Sequence, residues 1–545
     1  MKKYHFLFIS FLLPALLQAQ WKYPSYEQIQ NDITQIGKNK FVTQEAIGKS
    51  HGGQPISLLK FQNANKNAPT LLLVAGVDGQ HPAGTISALH VAKNLLKLSP
   101  DSLSKLLDNK SIWILPLANP DAYVRNASAV LQLTSGNARQ IDNDRDGRVD
   151  EDPAKDLNGD GVISQMRVKS LAGTYKLHSA FSDYLLAVDP SKGEKGIYEL
   201  YTESIDADKD GLYGEDGASG VNIDRNFTFD YGIFEPETGE YAASEAETKA
   251  ILDLLYENPQ ISTVLHFGLQ NNLSIAENFD KGKASERIIK SWSSNDAQVS
   301  NYVTSIYNET VKPLGEAPKA NAGKGNFSST AYYHAGRFSF VTPSWWVPSV
   351  QDTSKQADLP KKAAPNGKVP DDKFVSWVYK NNIEGAILPW TKVNHPDFPN
   401  QEVEVGGVVE LYKNNPPVDL LEASSELHSN FVIKLVQSMA ALEFSQPKIT
   451  ALGNDIFRVE MRVFNTGGMP TYPEIGDKIR HVSKLKTIIE LQKSQQFLSG
   501  KRLELYPSLA AGKSQDFSWL IKGKGKVEIV VGCPAAGEKT ISVTL

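Results

Sequence analysis

Cysteine is nearly absent from this 545-residue chain, with Cys533 alone. One cysteine excludes an intramolecular disulfide, so stability must come from large apolar cores, which this length allows, and from any bound metal. Blocks of like charge are also missing, and the formal net charge is only −5. That balance gives no sign of a nucleic-acid partner or of an anionic membrane surface. Beyond residue 19 no apolar run reaches the roughly 18 residues that a membrane span requires. What remains is ordinary globular composition, 41% hydrophobic and 22% charged, over a length suited to about two to four domains.

The first 19 residues stand apart. Lys2 and Lys3 precede a short apolar stretch over 6–17, and Ala19 is a small residue before Gln20. This is the pattern of a secretory signal peptide at 1–19, which predicts export to the periplasm or the extracellular space. The chain has no lipobox-type cysteine.

The most informative stretch is 75–84, AGVDGQHPAG. It follows the apolar run Leu71-Leu72-Leu73-Val74 and leads into a helical pattern from Ile86. Strand, glycine turn and helix is the layout in which α/β proteins place a site at a strand's carboxyl end. Asp78 and His81 are two metal-ligand side chains in that turn. A second apolar strand, SIWILPL, ends in the turn Asn119-Pro120-Asp121, and a short strand near 263–265 ends at His266. Residues 421–444 carry apolar side chains at helical spacing (Leu427, Phe431, Leu435, Met439), predicting one long amphipathic helix.

Between these landmarks lies an acidic insertion at about 140–217 with three related hexapeptides. Asp142, Asp144 and Asp146 alternate in the first, Asp156, Asn158 and Asp160 in the second, and Asp206, Asp208 and Asp210 in the third, each closed by glycine at position six. Alternate oxygen-bearing side chains converge on a hard cation, and the glycine permits the sharp turn, so the loops predict structural calcium. Position twelve, a bidentate Glu in an EF-hand, is Pro153, Arg167 and Gly217 here, and Asp152 and Asp216 stand one residue earlier as substitutes. Plain Asx turns are the competing explanation of the same residues. After Ser445 the pattern changes to short alternating strands, such as Phe457, Val459, Met461 and Val463, which predicts a β-sandwich over 445–545.

The order of these motifs resembles the secreted zinc carboxypeptidases of the carboxypeptidase A type. Asn119-Pro120-Asp121 is similar to the family's NPDG turn, GVNIDRNF at 220–227 to its GVDLNRNF, SEAET at 244–248 to its SEPET helix start, and HFG at 266–268 to the segment of its last zinc ligand. HPDF and VEVGG resemble a late segment of a bacterial subgroup that also carries the acidic insertion. The resemblance covers 21–444 and implies an α/β fold with a mixed central β-sheet and helices on both faces, joined here to the C-terminal β-sandwich. It also implies zinc held by a His-x-x-Glu pair and a later His, an Arg that binds the substrate's terminal carboxylate, and a Glu acting as general base on zinc-bound water.

The chain departs from that pattern at the residues that matter most. Asp78 falls on the family's His position and His81 on its Glu position, so an Asp78–His81–His266 ligand set is the one expected for zinc. Arg225 matches the carboxylate-binding Arg, while Asp224 replaces the Asn before it. Pro343, in SFVTPSWW, stands where the family has its general-base Glu, and proline moves no proton. The expectation is therefore a carboxypeptidase-like protein that meets peptide C-termini or another small extracellular ligand, with classical hydrolysis impaired. The alternative is a silent protein of the same fold that binds peptide or glycan in the cleft.

Overall fold

The computed structural model describes residues 23–62, 65, 67–142, 147–150, 152–179, 181–215, 220–320, 322–348 and 371–545. The 1–19 segment and Asp144, Asp146 and Asp216 lie outside the described residues. Helix α1 (Tyr26–Gly37) opens the fold, with Ser25 and Gln28 forming a reciprocal capping box. Strands β1 (Val42–Lys49), β2 (Pro55–Phe61) and β3 (Thr70–Ala75) follow, then helices α2 (Pro82–Lys97) and α3 (Pro100–Leu106), strand β4 (Ser111–Leu115) and helix α4 (Pro120–Asn126). The acidic region contributes β5 (Gln165–Lys169), β6 (Tyr175–Leu177), β7 (Leu185–Ala187) and β8 (Tyr198–Thr202). Next come α5 (Ala246–Glu257), β9 (Ile261–Phe267), α6 (Ser294–Val311), α7 (Phe327–Tyr333), β10 (Phe338–Thr342), α8 (Asp371–Asn381), β11 (Ile387–Val393), β12 (Val403–Val408), α9 (Leu411–Asn414) and α10 (Val418–Ser438).

The central sheet has six strands in the order β1-β2-β4-β3-β9-β10. β4, β3, β9 and β10 run parallel, while β1 and β2 join antiparallel at one edge. Every residue of β3 is buried because both sheet faces are covered. Leu71, Leu73 and Ala75 enter one core with side chains of α1, α2, α6 and α10. Leu72 and Val74 point the other way and meet α5 and α7. The period of two thus explains why a continuous apolar run serves two cores.

The acidic region is more than a set of loops. Its strands pair with the late segment in a second, antiparallel six-stranded sheet, β11-β12-β5-β8-β6-β7. HPDF is docked there: His395 Nε2 lies 2.7 Å from the Ser204 carbonyl, and Asp397 accepts from Lys209 Nζ at 2.5 Å.

The helix expected over 421–444 starts earlier and stops at Ser438. Met439 turns extended, and β13 (Leu442–Phe444) pairs with β15 (Ile456–Asn465) instead. The remaining strands are β14 (Lys448–Gly453), β16 (Leu485–Glu490), β17 (Gln496–Ser499), β18 (Leu503–Tyr506), β19 (Ser514–Lys522), β20 (Lys526–Cys533) and β21 (Gly537–Thr544), with helix α11 (Glu474–Lys478) between β15 and β16. They form a five-stranded and a four-stranded sheet enclosing their own core around Trp519, Phe517 and Val531, the β-sandwich the alternation implied.

Candidate active site

The parallel strands stop in register. Val74 of β3 pairs with His266 of β9, His266 pairs with Val341 of β10, and Thr342 pairs with Phe267. The loop carrying Asp78 and His81, the side chain of His266 and Pro343 therefore share one edge of the sheet. This is the carboxyl-end position where open α/β sheets place their sites.

His81 caps α2 ahead of Pro82 and is buried. Its Nε2 lies 3.3 Å from Ser344 Oγ, and its Nδ1 makes no hydrogen bond of good geometry. Burial pushes His81 down to about 4, with the Asn415 side chain opposing and His428 adding to the shift. His266 is fully enclosed, and neither ring nitrogen has a partner among the described residues. Burial, then the neighbouring His81, pushes it down to about 3. Its ring meets the edge of Phe327 at 5.4 Å, and a Cβ on Gly268 would come within 2.4 Å of its Cε1, so only glycine fits there. Asp78 accepts from the Gln80 N–H at 2.8 Å, and burial raises its carboxyl to about 6, with nearby Glu237 adding to the rise against the Gln80 N–H bond.

Zinc ligands sit about 2.0–2.2 Å from the ion, which brings their donor atoms to within about 3.5 Å of one another. The donors of Asp78, His81 and His266 do not gather even within 4.8 Å, whereas two carboxylate groups elsewhere among the described residues do. The orphaned imidazole nitrogens are suited to a metal. The set as placed does not fit one, because His81 is turned to Ser344 and Asp78 to its own loop.

Asp224 and Arg225 lie on one 3₁₀ turn (Ile223–Arg225) that Asn222 caps. Their side chains go to different places. Asp224 is buried, accepting from Phe327 N–H and Gln270 Nε2, each at 2.8 Å, and burial raises its carboxyl to about 8 against the Phe327 hydrogen bond. Arg225 pairs with Glu235 at 3.2 Å. It lines a groove of about 740 Å³ with Arg139, Glu235, Glu237 and Glu240. Arg139 is held by Glu240 at 2.5 Å and Glu245 at 3.0 Å, so both guanidinium groups are already neutralised.

Sequence reasoning missed a buried polar chain behind Pro343. Thr342 Oγ1 lies 2.6 Å from Tyr307 OH, which lies 3.3 Å from His428 Nε2. His428 Nδ1 donates to the Ser424 carbonyl at 2.8 Å, and Ser424 Oγ donates to the Ser344 carbonyl. Ser344 then meets His81. The sequence signal was the pair Ser424 and His428 at helical spacing, on a buried helix face that also carries Ser425 and Ser429.

In the acidic region Asp206, Asp208 and Asp210 do gather, and Asp208 joins a second group with Asp152 and Glu215, all acceptor atoms lying within 4.8 Å in each group. Asp152, expected to complete the first loop, serves the third, accepting from Ala207 and Gly214 N–H at 3.1 Å. Glu215 gave no signal in the hexapeptide pattern. The second loop is a closed turn: Asp156 accepts from Gly159 and Gly161 N–H at 2.7 and 2.8 Å, Asn158 from Asp160 N–H at 2.9 Å, and Asp160 from Val162 N–H at 2.9 Å. Asp142 accepts from Gly147 N–H at 2.9 Å.

The chain belongs to the zinc carboxypeptidase family, whose pattern matches residues 31–342, more than half of its length. Residues 441–544 match a separate domain family of unknown function (DUF8731). Mouse carboxypeptidase A1 is 25% identical over 122 residues, 21% of this chain and 29% of the relative. A zinc carboxypeptidase of Saccharothrix mutabilis subsp. capreolus is 23% identical over 109 residues, 18% of this chain and 25% of the relative. The matched stretches thus span under a third of these relatives. Among solved structures, bovine thrombin-activatable fibrinolysis inhibitor, in complex with tick carboxypeptidase inhibitor, aligns over 76% of this chain and 98% of its own at 14% identity and a TM-score of 0.38. Carboxypeptidase A from Helicoverpa armigera covers 62% of this chain and 69% of its own at 17% identity and a TM-score of 0.35.

Proposed function

We propose that this chain keeps the carboxypeptidase framework but has lost efficient hydrolysis of peptide C-termini, its groove serving to bind a small extracellular ligand. The observation that carries this reading is Pro343, seated directly after β10 and beside the strand end that holds His266. A general base contributes about 10²- to 10⁴-fold to rate, and nothing at that position can take a proton. The ungathered donors of Asp78, His81 and His266 point the same way. So do the two arginines, which are ion-paired within an acidic groove and poorly placed to draw in a free carboxylate.

The same proposal includes export through residues 1–19, a carboxypeptidase-like unit over 20–444, an accessory unit over 445–545, and structural calcium at the third acidic loop. The test is metal analysis of the purified protein together with an assay on peptides with free C-termini. No stoichiometric zinc and no released amino acid is the expected result. Release that His266→Ala abolishes sinks the proposal.

A further inference from the structure

Arg337 immediately precedes β10, at the opposite end of that strand from Pro343. It is 4% exposed. Its Nη2 donates to the Leu255 carbonyl at 3.1 Å, and its Nε has no partner among the described residues. No carboxylate among the described residues pairs with it. A buried guanidinium is ordinarily paired, because a lone charge taken out of water is costly. Leu255 lies in the last turn of α5, and a helix end of that kind supplies about half an elementary charge of negative sign. The rest of the guanidinium charge is left unbalanced. Burial pushes Arg337 down to about 10, the direction expected of a cation without a counter-ion.

The guanidinium is not sealed. Nη1 is neither hydrogen-bonded nor enclosed, so it is the donor that meets solvent. Two exposed side chains stand beside it, Tyr256 of α5 and His481 from the segment after α11, their ring centroids 4.7 Å apart. Burial, then the Arg337 charge, holds His481 below the ordinary histidine value.

The end of α11 fixes His481 in this place. Arg480 N–H donates to the Asp477 carbonyl at 3.2 Å and His481 N–H to the Gly476 carbonyl at 3.0 Å, the paired bonds of a helix that closes through a left-handed residue. That residue is Arg480, at φ +60°, where glycine is the usual choice. Arg480 is exposed and has no ion-pair partner among the described residues. The charges around it are matched: Lys478 pairs with Glu474 at 2.9 Å and Lys484 with Asp477 at 2.6 Å. On the α5 side Asp253 is held by Lys249, and exposed Glu257 does not reach Arg337. Arg337 and Arg480 are therefore the surplus charges of this seam.

We propose that the seam binds one small free oxyanion, of the phosphate or sulfate type, with Arg337 Nη1 as its recessed anchor and Arg480 and His481 as exposed donors beside it. The planar guanidinium fork suits oxyanion geometry. Arg337 belongs to the carboxypeptidase-like unit, whereas Arg480 and His481 belong to the sandwich. The ion therefore bridges the two parts and stabilises the chain by binding the docked form.

The experiment is a melting titration and calorimetry of the full chain with sodium phosphate and sodium sulfate, the ionic strength held constant with sodium chloride. At least one oxyanion should bind at about one per chain and raise the melting temperature above the chloride control. Arg337→Met should weaken binding about tenfold or more, the usual effect of losing a hydrogen bond from a charged donor. Arg480→Ala and His481→Ala change exposed positions and should each weaken binding, which decides the matter if the methionine variant does not fold. Arg502→Ala removes an exposed arginine paired with Glu490 and should leave affinity unchanged. A response no larger than that to chloride overturns the proposal, as does equal affinity in all variants. Binding that Arg225→Ala removes and Arg337→Met keeps also overturns it, assigning the ion to the groove beside Arg139.

Discussion

The proposed loss of hydrolysis turns on two residues, Pro343 and Asp224. Restoring the acid alone should not restore the reaction, because the donors beside it are not gathered. Pro343→Glu is expected to release no C-terminal amino acid in a sensitive end-point assay, and release would show that the base was the one missing part. Asp224 gives a second test, through pH. Its folded pKa of about 8 lies above the ordinary carboxylate value, so the folded state holds the proton that the unfolded chain gives up. Stability associated with it therefore falls as pH rises from about 4 to about 8. Asp224→Asn should flatten that slope and raise the melting temperature at pH 8 more than at pH 5, by about 2–4 °C per kcal/mol. His81, His266 and His428 act with the opposite sign. Their folded values, about 4, 3 and 4, lie below that of an unfolded histidine. Stability present above about pH 6.5 is lost as pH falls through their folded values. A melting series from pH 7 to pH 4 should show the loss, and replacing His428 with Gln should reduce it.

At the scale of single elements, the third acidic loop is the part whose behaviour a cation should change. Asp208 belongs to both carboxylate groups, which places it at their junction. Calcium should raise the melting temperature, EDTA should reverse the rise, and Asp208→Asn should remove the calcium response. No response in the unsubstituted chain would leave the loop as turn chemistry alone. Elements were legible in the sequence to unequal degrees. β3 was plain because a strand covered on both faces is apolar along its length, whereas β9, which contains Ser262, Thr263 and His266, was read only over 263–265. The loop at 75–84 could be placed because it follows such a strand. β5 and β8 were read as part of an acidic insertion because they are short and interleaved with turn residues. Ser344, Tyr307 and His428 could not be joined in advance, since they come from three distant elements and meet only through tertiary packing. Glu215 was hidden for the same reason: its partner Asp152 sits across another turn.

The whole molecule is tied together across the expected boundary at 444 and 445. Asp296 of α6 accepts from Glu474 and Ile475 N–H at 2.7 and 3.0 Å, and from Tyr332 OH at 2.8 Å. Met469 and Ile475 of the C-terminal part are members of the large core beside α6 and α10. Gly336, at φ +66°, would carry its Cβ 2.8 Å from Gly476 Cα, so the two backbones touch with no side chain between them. Asp296→Ala leaves two helix-start N–H groups without acceptors and should cost about 2–4 kcal/mol, read as a fall in the denaturation midpoint. Such a seam makes the accessory sandwich part of the folding unit of its neighbour. A chain cut at 444 would expose apolar surface, and it should run as aggregates on gel filtration and bind a hydrophobic dye. Any partner that pulls on the sandwich must therefore transmit force straight into α6 and α7, the helices that flank β10, which turns a passive seam into a mechanical handle on the strand that ends at Pro343.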